Sequence, residues 1–222
     1  MVASEVQNSQ MMNKPGLQFP NQDDLQIMDP AKYLFSVSKI TDDLYLCGAC
    51  ALRADTFEKL GITCVINCTT REELPDPPIA DHITYLRIPV RDSTHTNLSQ
   101  YFHTITDTIK NTILQGGRVL VHCIAGVSRS ASICLAYLIK YHNMSLREAY
   151  QHIERRRPCI RPNNSFFKQL IEFEIEICGI CSISMILDDT TKTHIPDIYE
   201  CKFKDRLCCQ LKLCQRRHYG TH

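Results

Sequence analysis

A cysteine followed six positions later by an arginine, with a glycine between them and serines around the arginine, is a constellation that can handle phosphate. The residues are Cys123, Gly126, Ser128, Arg129 and Ser130 within His122-Cys123-Ile124-Ala125-Gly126-Val127-Ser128-Arg129-Ser130. A thiol at a helix N-terminus meets unpaired amides and the positive end of the helix dipole, which lower its pKa from about 8.5 and make it a nucleophile at neutral pH. The same amides hold a dianion, and the planar fork of Arg129 binds two phosphate oxygens at once, as a lysine cannot. Gly126 allows the backbone to turn its amides inward, and the Ser128 and Ser130 hydroxyls lie within reach of the loop and the sulfur.

The surrounding sequence has the elements such a loop needs. Val119-Leu120-Val121, after the turn pair Gly116-Gly117, reads as a buried strand, and Ile133 to Ile139 as an apolar helix, so Cys123 falls where strand gives way to helix. Upstream, Ile40 to Gly48 reads as two short strands around an acidic turn. Arg53 to Leu60 reads as a helix stopped by Gly61, and Thr63 to Asn67 and Thr84 to Ile88 as further strands. Alternation of strand and helix, with helices accumulating toward the C-terminus, favours an α/β sheet covered on both faces. Ile88-Pro89-Val90-Arg91-Asp92-Ser93 forms a loop before a helix with Leu98, Tyr101, Phe102, Ile105, Ile109 and Ile113 at helical spacing. Asp92 on that loop is placed to protonate a departing alkoxide or phenoxide and later to take a proton from water; Asp81 and Asp107 compete with it. Ser145-Leu146-Arg147-Glu148 is a capping box opening a helix to about Arg156, and Pro158 stops it before a last helix carrying Phe166, Leu170, Phe173 and Ile177. Arg155-Arg156-Arg157 reads as a solvated helix end, or as a basic rim beside the pocket.

The nine residues from His122 to Ser130 resemble the signature of the cysteine-dependent protein tyrosine phosphatase superfamily, in the form typical of dual-specificity phosphatases, and the spacing of the whole domain is similar to that of the small, atypical members. The resemblance implies the superfamily fold, a central mostly parallel sheet of about five strands with helices on both faces. It implies Cys123 as nucleophile, the amides of Ile124, Ala125, Gly126, Val127, Ser128 and Arg129 with the Arg129 side chain as phosphate cradle, and Ser130 as the hydroxyl that helps the thiolate leave. His122 would orient the loop and keep the sulfur ionised. Asp92 lies 31 positions before Cys123 (123 minus 92), a separation similar to that of the family's general acid. Arg156-Arg157-Pro158 through Pro162-Asn163 to Phe166 and Gln169-Leu170 resemble the C-terminal part of such domains, which implies that Asn163 braces the loop; as a residue it reads equally well as a turn or cap. Ile195 to Glu200 is similar to a tail in some members.

The resemblance therefore implies a phosphatase acting on phosphotyrosine and phosphoserine or phosphothreonine in proteins through a phosphocysteine, with no metal or organic cofactor. Kinases of a MAP-kinase-type pathway are among the partners it suggests. The alternatives are a phosphatase of RNA 5′ ends, lipid or sugar phosphates, and an inactive phosphate-binding module. Ile124 and Val127 stand where lipid phosphatases tend to carry lysines, and no aromatic platform for nucleic acid is evident, so no nucleic-acid partner is expected.

At 222 residues, 44% hydrophobic and 22% charged, the chain is long enough for one substantial core plus tails. The expected organisation is a mobile leader over residues 1–35, a catalytic domain over 36–180 and a largely disordered tail over 181–222. A net charge of +1 gives no general case for nucleic acid or membranes. Thirteen cysteines without a signal peptide point to free thiols in a reducing compartment, the cytoplasm with the nucleus. Cys47-x-x-Cys50 and Cys178-x-x-Cys181 have the pair spacing of zinc sites but no histidines at matching offsets, so no metal is expected. Cys64 and Cys68 read as core side chains or as partners for an oxidised Cys123. The basic, cysteine-bearing tail invites comparison with acylated membrane anchors, but an unmodified tail is the expectation.

Overall fold

The computed structural model describes residues 31–77 and 80–200. Its five-stranded sheet has the order β1 (Ser38–Lys39), β2 (Leu44–Gly48), β5 (Val119–Cys123), β3 (Cys64–Asn67) and β4 (Thr84–Arg87). Only β1 runs antiparallel to its neighbour. β5 is the middle strand and all its side chains are buried, which is why it reads as an unbroken apolar run rather than an alternating one. Gly48 stands opposite Cys123 on one side and Asn67 opposite His122 on the other. The end of β5 thus opens at the carboxyl edge of the sheet, where ligands of parallel α/β sheets bind.

Helices cover both faces, as expected. A short helix α1 (Ala31–Leu34) precedes β1. On one face α2 (Ala54–Leu60) brings Phe57 onto Tyr45, Cys47, Val65 and Leu120, and ends at Gly61, whose φ of +62° suits a residue without a Cβ. On the other lie α3 (Phe102–Leu114), α4 (Arg129–His142), α5 (Leu146–Arg156) and α6 (Asn164–Cys178). α4 starts directly from the cysteine loop and is buried without a break from Arg129 to Ile139, so it is buried all round rather than along one stripe. Each of its large aliphatic side chains contributes about 1.5–3 kcal/mol by leaving water. The capping box of α5 is present: the Glu148 amide donates to Ser145 Oγ at 3.3 Å and the Ser145 amide to Glu148 Oε2 at 2.9 Å. The segment expected to be helical from Leu98 begins as a 3-10 turn at Ser99–Tyr101 and becomes α-helical at Phe102.

The folded unit runs past residue 180, where the sequence suggested that a disordered tail begins. A two-stranded ribbon of β6 (Met185–Leu187) and β7 (His194–Pro196) folds back on the helical face, and Ile183, Ile195 and Tyr199 are buried in the main core. Two polar anchors hold it. Arg147 donates to both oxygens of Asp197, at 2.8 and 2.9 Å. The fully buried Glu174 accepts from the Leu146 amide, at the first turn of α5, and from the Ser182 amide. Sparse apolar residues in a polar stretch look like a tail, yet Ile183, Ile195 and Tyr199 each have a seat. Of the leader expected over residues 1–35, Ala31–Leu34 form α1; residues 1–30 and the basic stretch from Cys201 lie outside the described residues. Among the described residues no helix is long and apolar enough to cross a membrane.

Candidate active site

The loop between β5 and α4 is held by its carbonyls. Ile124 O accepts from the Ala49 amide (2.8 Å), Val127 O from the Arg161 amide (2.9 Å), and Ala125 O and Gly126 O from the Arg157 guanidinium (3.0 and 2.7 Å). In a planar trans peptide the N–H points opposite the C=O, so four carbonyls turned outward turn the amides of Ala125, Gly126, Val127 and Ser128 inward. The Gly126 amide donates to Cys123 Sγ at 3.3 Å. Two glycines make this packing feasible. Gly126 has φ +68° and a Cβ there would lie 2.5 Å from the Cys47 carbonyl, while a Cβ on Gly48 would lie 2.9 Å from the Ala125 carbonyl.

Cys123 lies at the floor of this ring, 2% exposed, and Ser130 Oγ donates to its sulfur at 3.2 Å. Burial pushes the neighbouring thiol of Cys47 up to about 12, and raises those of Cys68 and Cys134 further above the usual thiol range. These three stay protonated at neutral pH and do not compete as nucleophiles. Every cysteine among the described residues is a free thiol.

Arg129 opens α4 and is 4% exposed. Its Nη1 donates to Glu73 Oε2 at 2.6 Å and to Val90 O at 3.0 Å, whereas its Nε, equally buried, has no hydrogen-bond partner. A buried donor left unpaired costs about 1–3 kcal/mol, so this nitrogen has reason to meet an acceptor.

Asp92 is joined to the same loop. Its Oδ1 accepts from Ser128 Oγ at 2.9 Å and from Asn163 Nδ2 at 2.8 Å, and the Asn163 amide donates to Ser128 Oγ at 3.1 Å. Asn163 Oδ1 in turn accepts from the Phe166 amide, so one residue caps α6 and braces both Asp92 and the loop over Cys123. The two roles that the sequence left open for Asn163 are both filled. Gln169 on α6 fixes the far end of the acid loop, accepting from the Leu98 and Ser99 amides and donating to Thr96 O. The competing acid Asp107 is engaged elsewhere, by Lys140 and Tyr141 on α4.

Two readings of basic residues change. Arg157 belongs neither to a solvated helix end nor to a rim: it is fully buried, and besides Gly126 O and Ala125 O it donates to Ser36 O (3.2 Å) and Ser38 Oγ (3.4 Å). Leu146, Tyr150, Ile153 and Arg157 follow one helical stripe, a signal that was readable in the sequence. Arg155 and Arg156 are exposed, as expected of a helix end, and Arg156 returns a bond to His152 O. His122 is fully buried with neither ring nitrogen hydrogen-bonded, and burial pushes its pKa down to about 4, opposed by the Cys123 backbone. It bears no positive charge at neutral pH, so it does not keep the sulfur ionised by charge. Strand alternation places it with Leu120, on the face opposite Cys123. Glu73 was missed altogether.

An inward-turned amide ring over a cysteine, an arginine with a free donor edge and a carboxylate fastened alongside, all at the carboxyl edge of a parallel sheet, make the class of the molecule that of the cysteine-dependent phosphatases. Residues 44–176 match the family model described as "Dual specificity phosphatase, catalytic domain". The chain is 39% identical to dual specificity protein phosphatase 14 of Bos taurus over 75% of this chain and 82% of that one. It is 40% identical to dual specificity protein phosphatase 18 of Mus musculus over 85% of this chain and 95% of that one. The crystal structure of human DUSP28 superposes with a TM-score of 0.60 at 28% identity, over 63% of this chain and 93% of that one. The chain belongs to the dual specificity phosphatase family. It is a protein phosphatase, a hydrolase of phosphoprotein monoesters.

Proposed function

We propose that Cys123, Arg129, Asp92 and Ser130 carry the hydrolysis in two steps. The Cys123 thiolate attacks phosphorus and the bond from phosphorus to the ester oxygen breaks, while Asp92 gives that oxygen a proton. The inward amides and Arg129 hold the three remaining phosphoryl oxygens. Water then attacks the phosphocysteine, Asp92 takes its proton, and the sulfur leaves as a thiolate beside the Ser130 hydroxyl. The observation that supports this reading best is the shared anchorage of acid and cradle, with Asp92 Oδ1 bonded to Ser128 of the loop and to Asn163. Asp92 Oδ2 makes no hydrogen bond among the described residues, which leaves it available for the proton.

Asp92→Asn is the test. Turnover of aryl phosphates with poor leaving groups falls on the order of a hundredfold or more, and that of good leaving groups far less, because only the former need the acid. Equal losses on both would remove Asp92 from the mechanism.

For substrates, the reading extends to doubly phosphorylated or acidic segments, such as those of kinases in a MAP-kinase-type pathway. It rests on cations beside the site: Arg91 is exposed next to Asp92, and Arg161 is exposed with its amide on Val127 O. A panel of singly and doubly phosphorylated peptides set against phosphoinositides and RNA 5′ ends decides it. Preference for either non-protein substrate would overturn it.

A further inference from the structure

Residues 160–163 link α5 to α6, with the phosphate loop in front of them and the core behind. In a planar trans peptide the C=O of one residue and the N–H of the next point in opposite directions, and no peptide bond among the described residues is cis. Two peptide planes here are therefore gripped at both ends. The Arg161 N–H donates forward to Val127 O at 2.9 Å, and the carbonyl of the same peptide, that of Ile160, accepts from Tyr150 Oη at 3.1 Å. The Asn163 N–H donates forward to Ser128 Oγ at 3.1 Å, and the carbonyl of its peptide, that of Pro162, accepts from Tyr199 Oη at 2.9 Å. From this second plane the Asn163 side chain reaches Asp92 Oδ1.

The two tyrosines have different origins. Tyr150 is on α5, inside the stretch that matches the family model, whereas Tyr199 lies past residue 176, where that match ends, in the turn that follows β7. The core makes a seat for it. Its ring meets Phe167 of α6 edge-on at 5.2 Å between centroids and Tyr150 at 5.8 Å, and the guanidinium carbon of Arg161 stands 4.5 Å from its centre. The turn is fastened two residues earlier, where Asp197 pairs with Arg147 and its amide donates to Ser184 O at 2.9 Å. Burial raises the pKa of both phenols above the usual range, which keeps each hydroxyl a donor at neutral pH. Pro162 is buried, so without the Tyr199 hydroxyl its carbonyl loses its partner away from water.

We infer that Tyr199 is a positioning residue: it fixes the Pro162–Asn163 peptide from behind, so that Asn163 holds Asp92 against Ser128 of the phosphate loop. This deepens the reading above and rests on Asp92 being the acid. The ribbon then serves the chemistry as well as the core.

The experiment measures kcat/KM on a series of aryl phosphates of rising leaving-group pKa, for the full chain and for Tyr199→Phe, Asp92→Asn and Tyr199→Phe/Asp92→Asn. Phenylalanine keeps the ring and its aromatic contacts and removes only the hydroxyl. Tyr199→Phe is expected to lower kcat/KM about three- to tenfold for the poorest leaving groups and less than about twofold for the best, which steepens the plot of log kcat/KM against leaving-group pKa. A residue that merely supports the fold would lower every substrate by one factor and leave the slope alone, and so would a smaller folded fraction. In the Asp92→Asn background the steepening is expected to vanish, because no acid is left to place. An unchanged slope in Tyr199→Phe, or a steepening that survives in the Asp92→Asn background, overturns the inference. If Asp92→Asn by itself leaves the slope unchanged, the acid reading fails first, which separates the two.

Discussion

Arg129 and Arg157 stand on opposite sides of one loop, both nearly sealed from water, and their hydrogen bonds differ. Arg157, behind the loop, donates to four acceptors: Gly126 O, Ala125 O, Ser36 O and Ser38 Oγ. Arg129, in front, has acceptors only on Nη1 and a buried Nε with none. A buried cation each of whose nitrogens has an acceptor stabilises a shape; one with a nitrogen left over is prepared for a ligand. His122 makes a third case at the same loop, a basic side chain that burial keeps uncharged.

The sharpest way to break this comparison is at Arg129. Arg129→Lys keeps a charge and loses the fork, and kcat/KM is expected to fall on the order of a thousandfold, with a thermal midpoint close to that of the parent. A large drop in midpoint would make Arg129 a structural residue like Arg157. The next effect in size belongs to Arg157→Met, which leaves carbonyls of the cradle unpaired. Its cost is about 3 kcal/mol, or a midpoint lowered by roughly 6–12 °C in a chain of this size. If thermal scanning finds Arg157→Met as stable as the parent, the brace is illusory.

The smallest effect tests His122. Its folded pKa of about 4 lies below the ordinary 6.5, so the unfolded chain binds the proton more readily and acid favours unfolding. Nothing is lost above about pH 6.5. Between there and pH 4 stability falls by up to about 1.4 kcal/mol per unit, so about 2 kcal/mol is gone by pH 5. Urea midpoints at pH 7 and pH 5 for the parent and His122→Gln read this directly, and the variant should lose less. Parallel losses would mean that the ring is charged or solvated in the fold.

Much of the fold and the cysteine loop was readable because the signals are local. Val119 to Val121, the capping box at Ser145 and Glu148 and the stop at Gly61 each depend on a few neighbouring residues. Asp92 was found from its place after a strand, although its partner Ser128 could not be foreseen. The residues that were missed or misread act across long stretches of chain. Arg157 bonds to Ser36 and Gly126, and the pull of a helix end on cations explains a basic run there so well that its burial was hidden. Glu73 sits in the charged stretch Thr70-Arg71-Glu72-Glu73, where nothing local separates a solvated glutamate from one aimed at Arg129, 56 positions away. The ribbon near Ile195 was mistaken for a tail because its apolar residues are few and its seat is made by α5 and α6.

The Ser128 hydroxyl gives its hydrogen to Asp92 and receives one from the Asn163 backbone. Asp92, the loop over Cys123 and the root of α6 are therefore pinned at a single oxygen, and displacement of any one drags the other two. Under the proposed mechanism a substrate meets a template already assembled by these bonds, and discrimination rests on the fit of an incoming side chain to that surface.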